Sequence, residues 1–429
     1  MGLKMTILAA ILASAFTSSN AQLRVVSTEN RFPNALAGQS GMQDYCSQFT
    51  FVLAKDCDRL VFNFMNTTMQ PGGTQDNSNA LNINSFTIHD NVSKSVNVTF
   101  PTSGTSTLAM AAGDYDQNSN VVTAASMGLS VFSAGVKYYG KVFIDVPATG
   151  NNVPLMDRNG FSTAGMAYTW WDRTTTTVSN KTGVGAPTFS GGTTQTKGTG
   201  FCPFVLGFVA DGSDSTSWAL IGDSIMVGTG DNSRTDAQAG GGAWQRACMD
   251  GARLIASMNL ARVNATTIAY NGVNAVKVRA YLKYGVNFAL ETDTNDLTAT
   301  GTGITLANLQ ANNTQLVTKA RAAGAVKVLR IGLFPRADSS SDGFTTVANQ
   351  VINAQWQSGV PAQALAWYPT QVPAVYDAFV AMNSVRDATV TYAWTVVGGA
   401  NVQSDGTHPL PIGHIKAASD LQAAIYAMT

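Results

Sequence analysis

The sequence predicts two fold types in one chain: an N-terminal β-sandwich, jelly-roll-like, followed by an α/β domain built on a parallel sheet. Between residues 22 and 210, short alternating runs such as 59–64 and 141–146 are separated by Gly, Asn, Ser and Pro clusters, a pattern typical of a sandwich. Between residues 211 and 429, apolar strands alternate with helical segments, which favours a parallel sheet covered on both faces. The chain of 429 residues is long enough for two such domains.

The elements of the second domain follow from its hydrophobic pattern and its turn residues. Strands are predicted at residues 218–221, 267–270, 287–291 and 326–331, and helices at 243–258, 275–284, 306–323, 345–358 and 411–428. Ligand sites in such folds lie at the carboxyl ends of the strands. We therefore expect the reactive side chains at those ends.

The N-terminus reads as a signal peptide covering residues 1–21. Lys4 precedes an apolar stretch, and Ser19-Asn20-Ala21 supplies a small-x-small cleavage site. The apolar stretch is shorter than the roughly 20 residues that span a bilayer, so we expect cleavage rather than anchoring. The sequence thus predicts a secreted or periplasmic protein without a membrane span after signal removal.

Composition excludes some partners and leaves others open. Lys+Arg and Asp+Glu number 26 each, so no basic surface indicates nucleic-acid binding; the oligomeric state is left open. Cys46, Cys57, Cys202 and Cys248 are an even number in an oxidising compartment, which suggests Cys46–Cys57 and Cys202–Cys248 disulfides among three possible pairings, with four free thiols as the alternative. No C-x-x-C spacing and only three histidines occur, so neither a metal nor a cofactor is expected.

The strongest chemical signal is a serine followed far downstream by an aspartate and a histidine. Gly222-Asp223-Ser224 follows an apolar strand, and Asp405-x-x-His408 lies near the C-terminus. A serine hydroxyl needs a base to take its proton and a third group to orient that base. We therefore predict Ser224 as nucleophile, His408 as base and Asp405 as its orienting group. The alternative is structural: a helix start at residues 223–224 and a loop histidine bound to backbone.

On these motifs, residues 218–429 resemble the SGNH (GDSL-type) hydrolase family. The first block of the family matches 222–224, the third resembles 293–296, and the last matches 405–408. The resemblance implies a flavodoxin-like three-layer α/β/α fold and the triad named above. It also implies that Asn295 donates its side-chain amide to the oxyanion.

The chain departs from the family pattern at two places. Asp293 stands where the family usually has Gly, and we expect its carboxylate either to point away from the reaction centre or to shape substrate choice. The second block is aligned at residues 270–275, which makes the backbone N–H of Ala275 an oxyanion donor beside that of Ser224. Gly272 is the alternative to Ala275.

Taken together, the sequence predicts a secreted serine esterase that hydrolyses short-acyl esters through an acyl-enzyme. An acetyl ester on a carbohydrate, such as an acylated polysaccharide, is the favoured substrate by analogy. One alternative is a glycan O-acetyltransferase that uses the same triad. Another is a surface glycan-binding or structural protein that retains the hydrolase fold.

Overall fold

The structure is a computed structural model of the chain. It describes residues 23–28, 30–33, 35–37, 43–69, 75–148, 150–157, 167–172, 178–179, 182–185, 188–189, 194–197, 199–209, 216–231, 241–298, 304–390 and 392–429. The predicted signal peptide, residues 1–21, lies outside the described residues.

Strands dominate the described chain up to residue 209. Those strands are β1 (Arg24–Val25), β2 (Asn30–Arg31), β3 (Ala35–Ala37), β4 (Asp44–Val52), β5 (Cys57–Phe64), β6 (Thr67–Met69), β7 (Gln75–Asn77), β8 (Leu81–His89), β9 (Ser95–Asn97), β10 (Leu108–Met110), β11 (Gln117–Asn118), β12 (Val122–Thr123), β13 (Lys137–Asp145), β14 (Val153–Asp157), β15 (Ala167–Asp172), β16 (Val178–Ser179), β17 (Thr188–Phe189), β18 (Thr194–Lys197), β19 (Thr199–Gly200) and β20 (Phe204–Val209).

Two antiparallel sheets contain the longest of these strands. One has the order β10-β8-β13-β4-β15-β18, and the other has the order β1-β20-β5-β11. Phe62 on β5 packs edge-to-face against Phe51 on β4 and Phe86 on β8, with ring centroids 5.7 and 4.9 Å apart. These aromatic contacts join the two sheets. The jelly-roll arrangement of the strands stays a prediction.

A parallel sheet forms the centre of the rest of the chain. Its described strands after residue 210 are β21 (Trp218–Gly222), β22 (Ser257–Asn259), β23 (Asn287–Glu291), β24 (Lys327–Ile331) and β27 (Ala378–Val380). Two separate strand pairs also occur in this part of the chain: β25 (Ala337–Ser340) pairs with β26 (Gln350–Ile352), and β28 (Val396–Val397) pairs with β29 (Ala400–Asn401). The sheet order is β2-β22-β21-β23-β24-β27, and every neighbouring pair is parallel.

Helices cover both faces of this sheet. They are α1 (Ser224–Val227), α2 (Ala243–Met249), α3 (Thr267–Asn271), α4 (Val276–Arg279), α5 (Asp293–Thr298), α6 (Leu306–Ala322), α7 (Ala354–Ser358), α8 (Val360–Thr370) and α9 (Pro411–Met428), and this part of the chain also has 3₁₀ turns at Val273–Ala275, Ala280–Tyr284, Val347–Asn349 and Asn383–Val385. One further 3₁₀ turn, Ala125–Met127, lies among the strands before residue 209. Alternate residues of β21 enter two different cores: Ala219 and Ile221 pack with α3 and α6, whereas Trp218 and Leu220 pack with α1, α2 and α9. The region therefore has three layers, helix–sheet–helix.

One strand of the predicted N-terminal domain belongs to the parallel sheet. Asn30 and Arg31 on β2 pair with Met258 and Asn259 on β22. Asn30 also donates from Nδ2 to the carbonyl oxygen of Ser257 at 3.1 Å. The chain before residue 210 is thus joined to the parallel sheet by backbone hydrogen bonds.

The predicted second strand, residues 267–270, is wrong: this segment is helix α3. Thr266 accepts a hydrogen bond from the N–H of Ala269 through its side chain and so begins the helix. The β-branched residues in this segment suggested a strand, but helical spacing buries Thr267 and Tyr270 on one side while Ile268 faces solvent. The strand that follows β21 in the sequence is β22.

Two other predicted helices differ from the structure. The predicted helix 243–258 ends at Met249 and is followed by β22. The predicted helix 345–358 contains a 3₁₀ turn, strand β26 and the short helix α7 instead. In contrast, strand 287–291 and helix 411–428 have the predicted bounds.

The four cysteines are buried and none of them forms a disulfide, so neither predicted disulfide is present. Burial raises the pKa of the Cys248 thiol to about 12. Within the described ranges, no cluster of His, Cys, Asp and Glu side chains could hold a metal ion. In the same ranges, every helix is too short or too polar to cross a membrane.

Candidate active site

Ser224 lies at the start of a helix that begins at the carboxyl end of the central strand. Strand β21 ends at Gly222, and Asp223 caps helix α1 by accepting the Ile225 N–H at 2.9 Å. A Cβ on Gly222 would lie 2.5 Å from the Cβ of Met226 and 3.0 Å from the carbonyl oxygen of Glu291. Only glycine fits this close approach of strand and helix.

The structure brings Ser224, His408 and Asp405 together in one chain of hydrogen bonds. Ser224 Oγ lies 2.8 Å from His408 Nε2, and His408 Nδ1 lies 2.6 Å from Asp405 Oδ2. The other carboxylate oxygen of Asp405 accepts the backbone N–H groups of Thr407 and His408 at 2.9 and 2.7 Å. Burial opposes ionisation of Asp405, but these hydrogen bonds outweigh it and hold its pKa well below the usual range.

Two glycines let the loop that contains His408 approach its neighbours closely. Gly406 has φ +82°, and a Cβ there would lie 1.9 Å from the carbonyl oxygen of Ala337. Gly230 follows the nucleophile helix, and a Cβ there would lie 2.3 Å from the carbonyl oxygen of Pro409. Both sites require glycine, because a side chain would push His408 away from Ser224.

Asn295 lies on helix α5, which follows the next strand of the sheet. Its Nδ2 donates to the carbonyl oxygen of Ala265 at 3.0 Å. Since an amide group carries two N–H bonds, one remains for a ligand. The contact also fixes the loop between β22 and α3.

That loop continues alongside the nucleophile segment. The N–H of Leu260 donates to Leu220 O at 2.8 Å, and the N–H of Arg262 donates to Gly222 O at 3.1 Å. Asn264 lies two residues further along, in a turn in which the N–H of Ala265 donates to Arg262 O at 3.1 Å. Asn264 has φ +59°, a left-handed conformation that Asn tolerates better than most residues.

The predicted oxyanion donors Ala275 and Gly272 do not fit that role. The N–H of Ala275 donates to Gly272 O at 3.2 Å inside a 3₁₀ turn, and the N–H of Gly272 donates to Ile268 O at 3.0 Å at the end of α3. Both groups are used by local helical hydrogen bonds. The prediction placed them after a strand at residues 267–270, and because that segment is helix α3, their N–H groups fall into helical turns instead.

Sequence reasoning thus missed Asn264. A signal was present: Asn264 is followed by Thr266, a helix N-cap residue, and Asn is common at positive φ in turns. If Thr266 is taken as the start of helix α3, the candidate donors lie in the loop before residue 266 and not in residues 270–275.

Asp293, the residue that replaces the family's glycine, points into the core. Its Oδ2 accepts hydrogen bonds from Arg330 at 2.6 Å, Asn313 at 2.9 Å and Tyr368 at 2.5 Å. Its Oδ1 accepts the Thr267 hydroxyl at 2.5 Å. Asp293 therefore anchors the starts of α5 and α3, beside the loop between β22 and α3.

A cavity of about 490 Å³ adjoins this loop on the face of the sheet that carries α3 and α6. It is lined by Thr266, Ile268, Asp296, Ile304, Asn308, Ala311 and Asn312. Burial, together with the charge of Asp293, raises the pKa of Asp296 to about 7. The cavity thus has mostly apolar walls and one carboxyl group that is easily protonated.

No family model matches the chain, and no curated protein matches it. Among solved structures, it is similar to a GDSL-like lipase from Bacteroides thetaiotaomicron, with 14% identity over 50% of this chain and 90% of that one and a TM-score of 0.33. It is also similar to an α/β hydrolase from the Lake Arreo metagenome, with 15% identity over 51% of this chain and 98% of that one and a TM-score of 0.35. A salicylyl-acyltransferase from a tetracycline biosynthetic pathway is similar over 96% of both chains, with 11% identity and a TM-score of 0.32. Likenesses of this degree decide neither the fold nor the activity.

Proposed function

We propose that this protein is a secreted serine esterase that cleaves short-acyl esters through an acyl-enzyme. The observation that carries the proposal is the hydrogen-bonded series Ser224–His408–Asp405, at 2.8 and 2.6 Å, at the carboxyl end of a parallel sheet. A serine hydroxyl bonded to an imidazole that is itself bonded to a carboxylate is the arrangement that activates serine.

In the first step, Ser224 Oγ attacks the ester carbonyl carbon while His408 Nε2 takes the hydroxyl proton. Asp405 accepts the Nδ1–H, which fixes the tautomer and stabilises the imidazolium that forms. The negative charge develops on the carbonyl oxygen. We assign the stabilisation of that charge to the second N–H of the Asn295 amide and to the backbone N–H groups of Ser224 and Asn264.

The Ser224 N–H suits this role because it lies in the first turn of α1, where N–H groups lack intrahelical acceptors. Each oxyanion donor contributes on the order of 3 kcal/mol. His408 then gives its proton to the leaving alcohol. Water, activated by the same imidazole, attacks the acyl-enzyme and releases the acid.

We propose an acetyl ester on a carbohydrate as the substrate and an extracellular or periplasmic location. The predicted signal peptide and the resemblance to a family that contains carbohydrate deacetylases support these choices. The cavity of about 490 Å³ lined by α3 and α6 exceeds what an acetyl group needs. A series of acyl chain lengths therefore tests this part of the proposal directly.

The experiment compares hydrolysis of p-nitrophenyl esters, from acetate to long-chain acyl groups, by wild type and Ser224→Ala. We expect activity that is highest on short chains and falls by about 10⁶-fold in kcat in the variant, since removing the nucleophile removes the acyl-enzyme route. Ala311→Trp, which reduces the cavity, serves as a matched variant. Its acetate hydrolysis should equal that of wild type.

Equal rates for wild type and Ser224→Ala would refute the serine mechanism. A preference for long chains, lost in Ala311→Trp, would refute the acetyl assignment and leave the esterase intact. Products from an acetyl donor and a glycan acceptor separate hydrolysis from transfer: free acetate supports the esterase, whereas an acetylated glycan would reassign the protein as an O-acetyltransferase.

A further inference from the structure

We propose that Glu291 carries a proton and donates it in a hydrogen bond to Asp223, so that two buried carboxyl groups share one proton beneath the nucleophile. Glu291 is then a positioning residue: it acts on Ser224 through Asp223, the cap of helix α1. The functional half of this inference rests on the proposed esterase activity. The protonation itself does not.

The two carboxyl groups lie at the ends of neighbouring strands. Gly222, which precedes Asp223, is the register partner of Glu291 in the pair formed by β21 and β23. Both side chains are fully buried. Their separation from solvent means that each charge or polar atom needs a partner within the protein.

Each carboxyl group has one oxygen with a partner and one without. Asp223 Oδ1 accepts the Ile225 N–H at 2.9 Å, and Glu291 Oε1 accepts the Thr294 hydroxyl at 3.3 Å. Asp223 Oδ2 and Glu291 Oε2 are buried and have no other hydrogen-bond partner. Two acceptor-only oxygens in this position repel each other, whereas a proton between them satisfies both.

The surrounding charges also require a proton on the pair. The titratable groups that face it are Tyr270 from α3, Asp293 from α5, Arg330 from β24 and His408 from the last loop. Arg330 is paired with Asp293 at 2.6 Å. Its single positive charge is therefore offset before Asp223 and Glu291 are counted.

Burial raises the pKa of Glu291 well above its usual range, and the negative charge of Asp223 raises it further. Burial also raises the pKa of Asp223, but the Ile225 N–H, the Glu291 hydrogen bond and the charge of His408 act in the opposite direction. The proton therefore belongs on Glu291, and the negative charge stays on the helix cap.

The shared proton fixes the helix cap in place. Asp223 bonds to the first turn of α1 through one oxygen and to Glu291 through the other, so its side chain cannot rotate without breaking a bond. The first turn contains both the Ser224 hydroxyl and the Ser224 N–H. Loss of the donated hydrogen bond should therefore disturb nucleophile and oxyanion donor together.

The experiment uses Glu291→Gln and Glu291→Leu in the full chain. The Gln amide can donate to Asp223 but cannot titrate, whereas Leu fills the space and leaves Asp223 Oδ2 without a donor. Infrared spectroscopy at neutral pH should show a carbonyl band of neutral carboxylic acids in wild type, to which Asp296, with a pKa of about 7, also contributes. The band should lose the Glu291 share of its intensity in Glu291→Gln. Asp58→Asn, which removes an exposed carboxyl group, should leave the band unchanged.

The free energy of unfolding supplies a second readout. Unfolded Glu291 loses its proton above about pH 4.3 while the folded protein keeps it, so this residue makes wild-type stability fall as pH rises above that value. Glu291→Gln removes this contribution, so its stability should fall less with pH. Chemical denaturation at several pH values measures the difference.

The kinetic readout separates positioning from chemistry. Glu291→Gln should keep kcat within a few-fold of wild type, and Glu291→Leu should lower kcat about 10²-fold with little change in KM, because the defect lies in the oxyanion-binding and nucleophilic groups. A wild type without ester hydrolysis would refute the proposed function alone. An infrared band that is absent from wild type, or that keeps its full wild-type intensity in Glu291→Gln, would overturn the shared proton.

Discussion

The antiparallel sheets before residue 210 and the parallel sheet after it are stabilised differently. Aromatic packing joins the two antiparallel sheets, with Phe62 between Phe51 and Phe86. At the carboxyl end of the parallel sheet, buried polar groups dominate, among them the fully buried ion pair of Asp293 with Arg330. Buried charges are costly unless they are fully paired, so their concentration around Ser224 marks the part of the molecule where geometry matters most.

The difference does not make the two regions independent. Arg31, on the edge strand β2, donates to the carbonyl oxygen of Val227 at the end of the nucleophile helix at 2.7 Å, and also to Gly241 O. Further along, Asp116 accepts hydrogen bonds from Lys283 and Tyr284, both at 2.5 Å. The antiparallel region therefore completes the edge of the sheet that carries the site.

Removing the N-terminal region should have the largest effect. A chain of residues 211–429 lacks β2 and the Arg31 side chain, which leaves buried carbonyl groups of Val227 and Gly241 without that donor. We expect no cooperative unfolding transition by circular dichroism and no ester hydrolysis, in contrast to residues 22–429. A cooperative transition with full activity in the short chain would show that the regions are separable.

Arg330→Met should be the next most damaging change. It leaves the Asp293 carboxylate buried without its cation, which lowers the free energy of unfolding by about 3–5 kcal/mol. Arg321→Met is the matched control, since Arg321 pairs with Asp377 at a site where both side chains are about a third exposed and such pairs contribute about 0–1 kcal/mol. Equal losses in urea denaturation would contradict the contrast between buried and exposed pairs.

Substitution at Asn264 should have the smallest effect on stability and a clear one on activity. Asn264→Val places a β-branched residue at φ +59°, which costs about 1–2 kcal/mol and should disturb the N–H that we propose as an oxyanion donor. Asn264→Gly keeps the backbone conformation, so its kcat should stay near that of wild type. If both variants hydrolyse p-nitrophenyl acetate like wild type, the loop does not contribute an oxyanion donor.

The elements that could be predicted were those whose local pattern agrees with their environment. Strand 287–291 is a buried apolar run, and helix 411–428 begins with Pro and keeps an apolar face, so both have the predicted bounds. Strand β22 was missed because Ser257, Met258 and Asn259 carry little strand signal. Asn259 is nevertheless buried, where it donates to Met226 O at 2.8 Å, and only the folded chain shows that partner.

The sequence by itself determined the alternation of strands and helices after residue 211 and the order Ser224, Asn295, Asp405, His408. These follow from hydrophobic period and residue chemistry, which are local properties. The tertiary structure alone decided that β2 joins the parallel sheet, that the N–H of Arg262 bonds to Gly222 O, and that Glu291 ends the strand next to the one that leads to Asp223. These contacts join residues between 40 and more than 200 positions apart, and sheet register, which places them, depends on packing of the whole core.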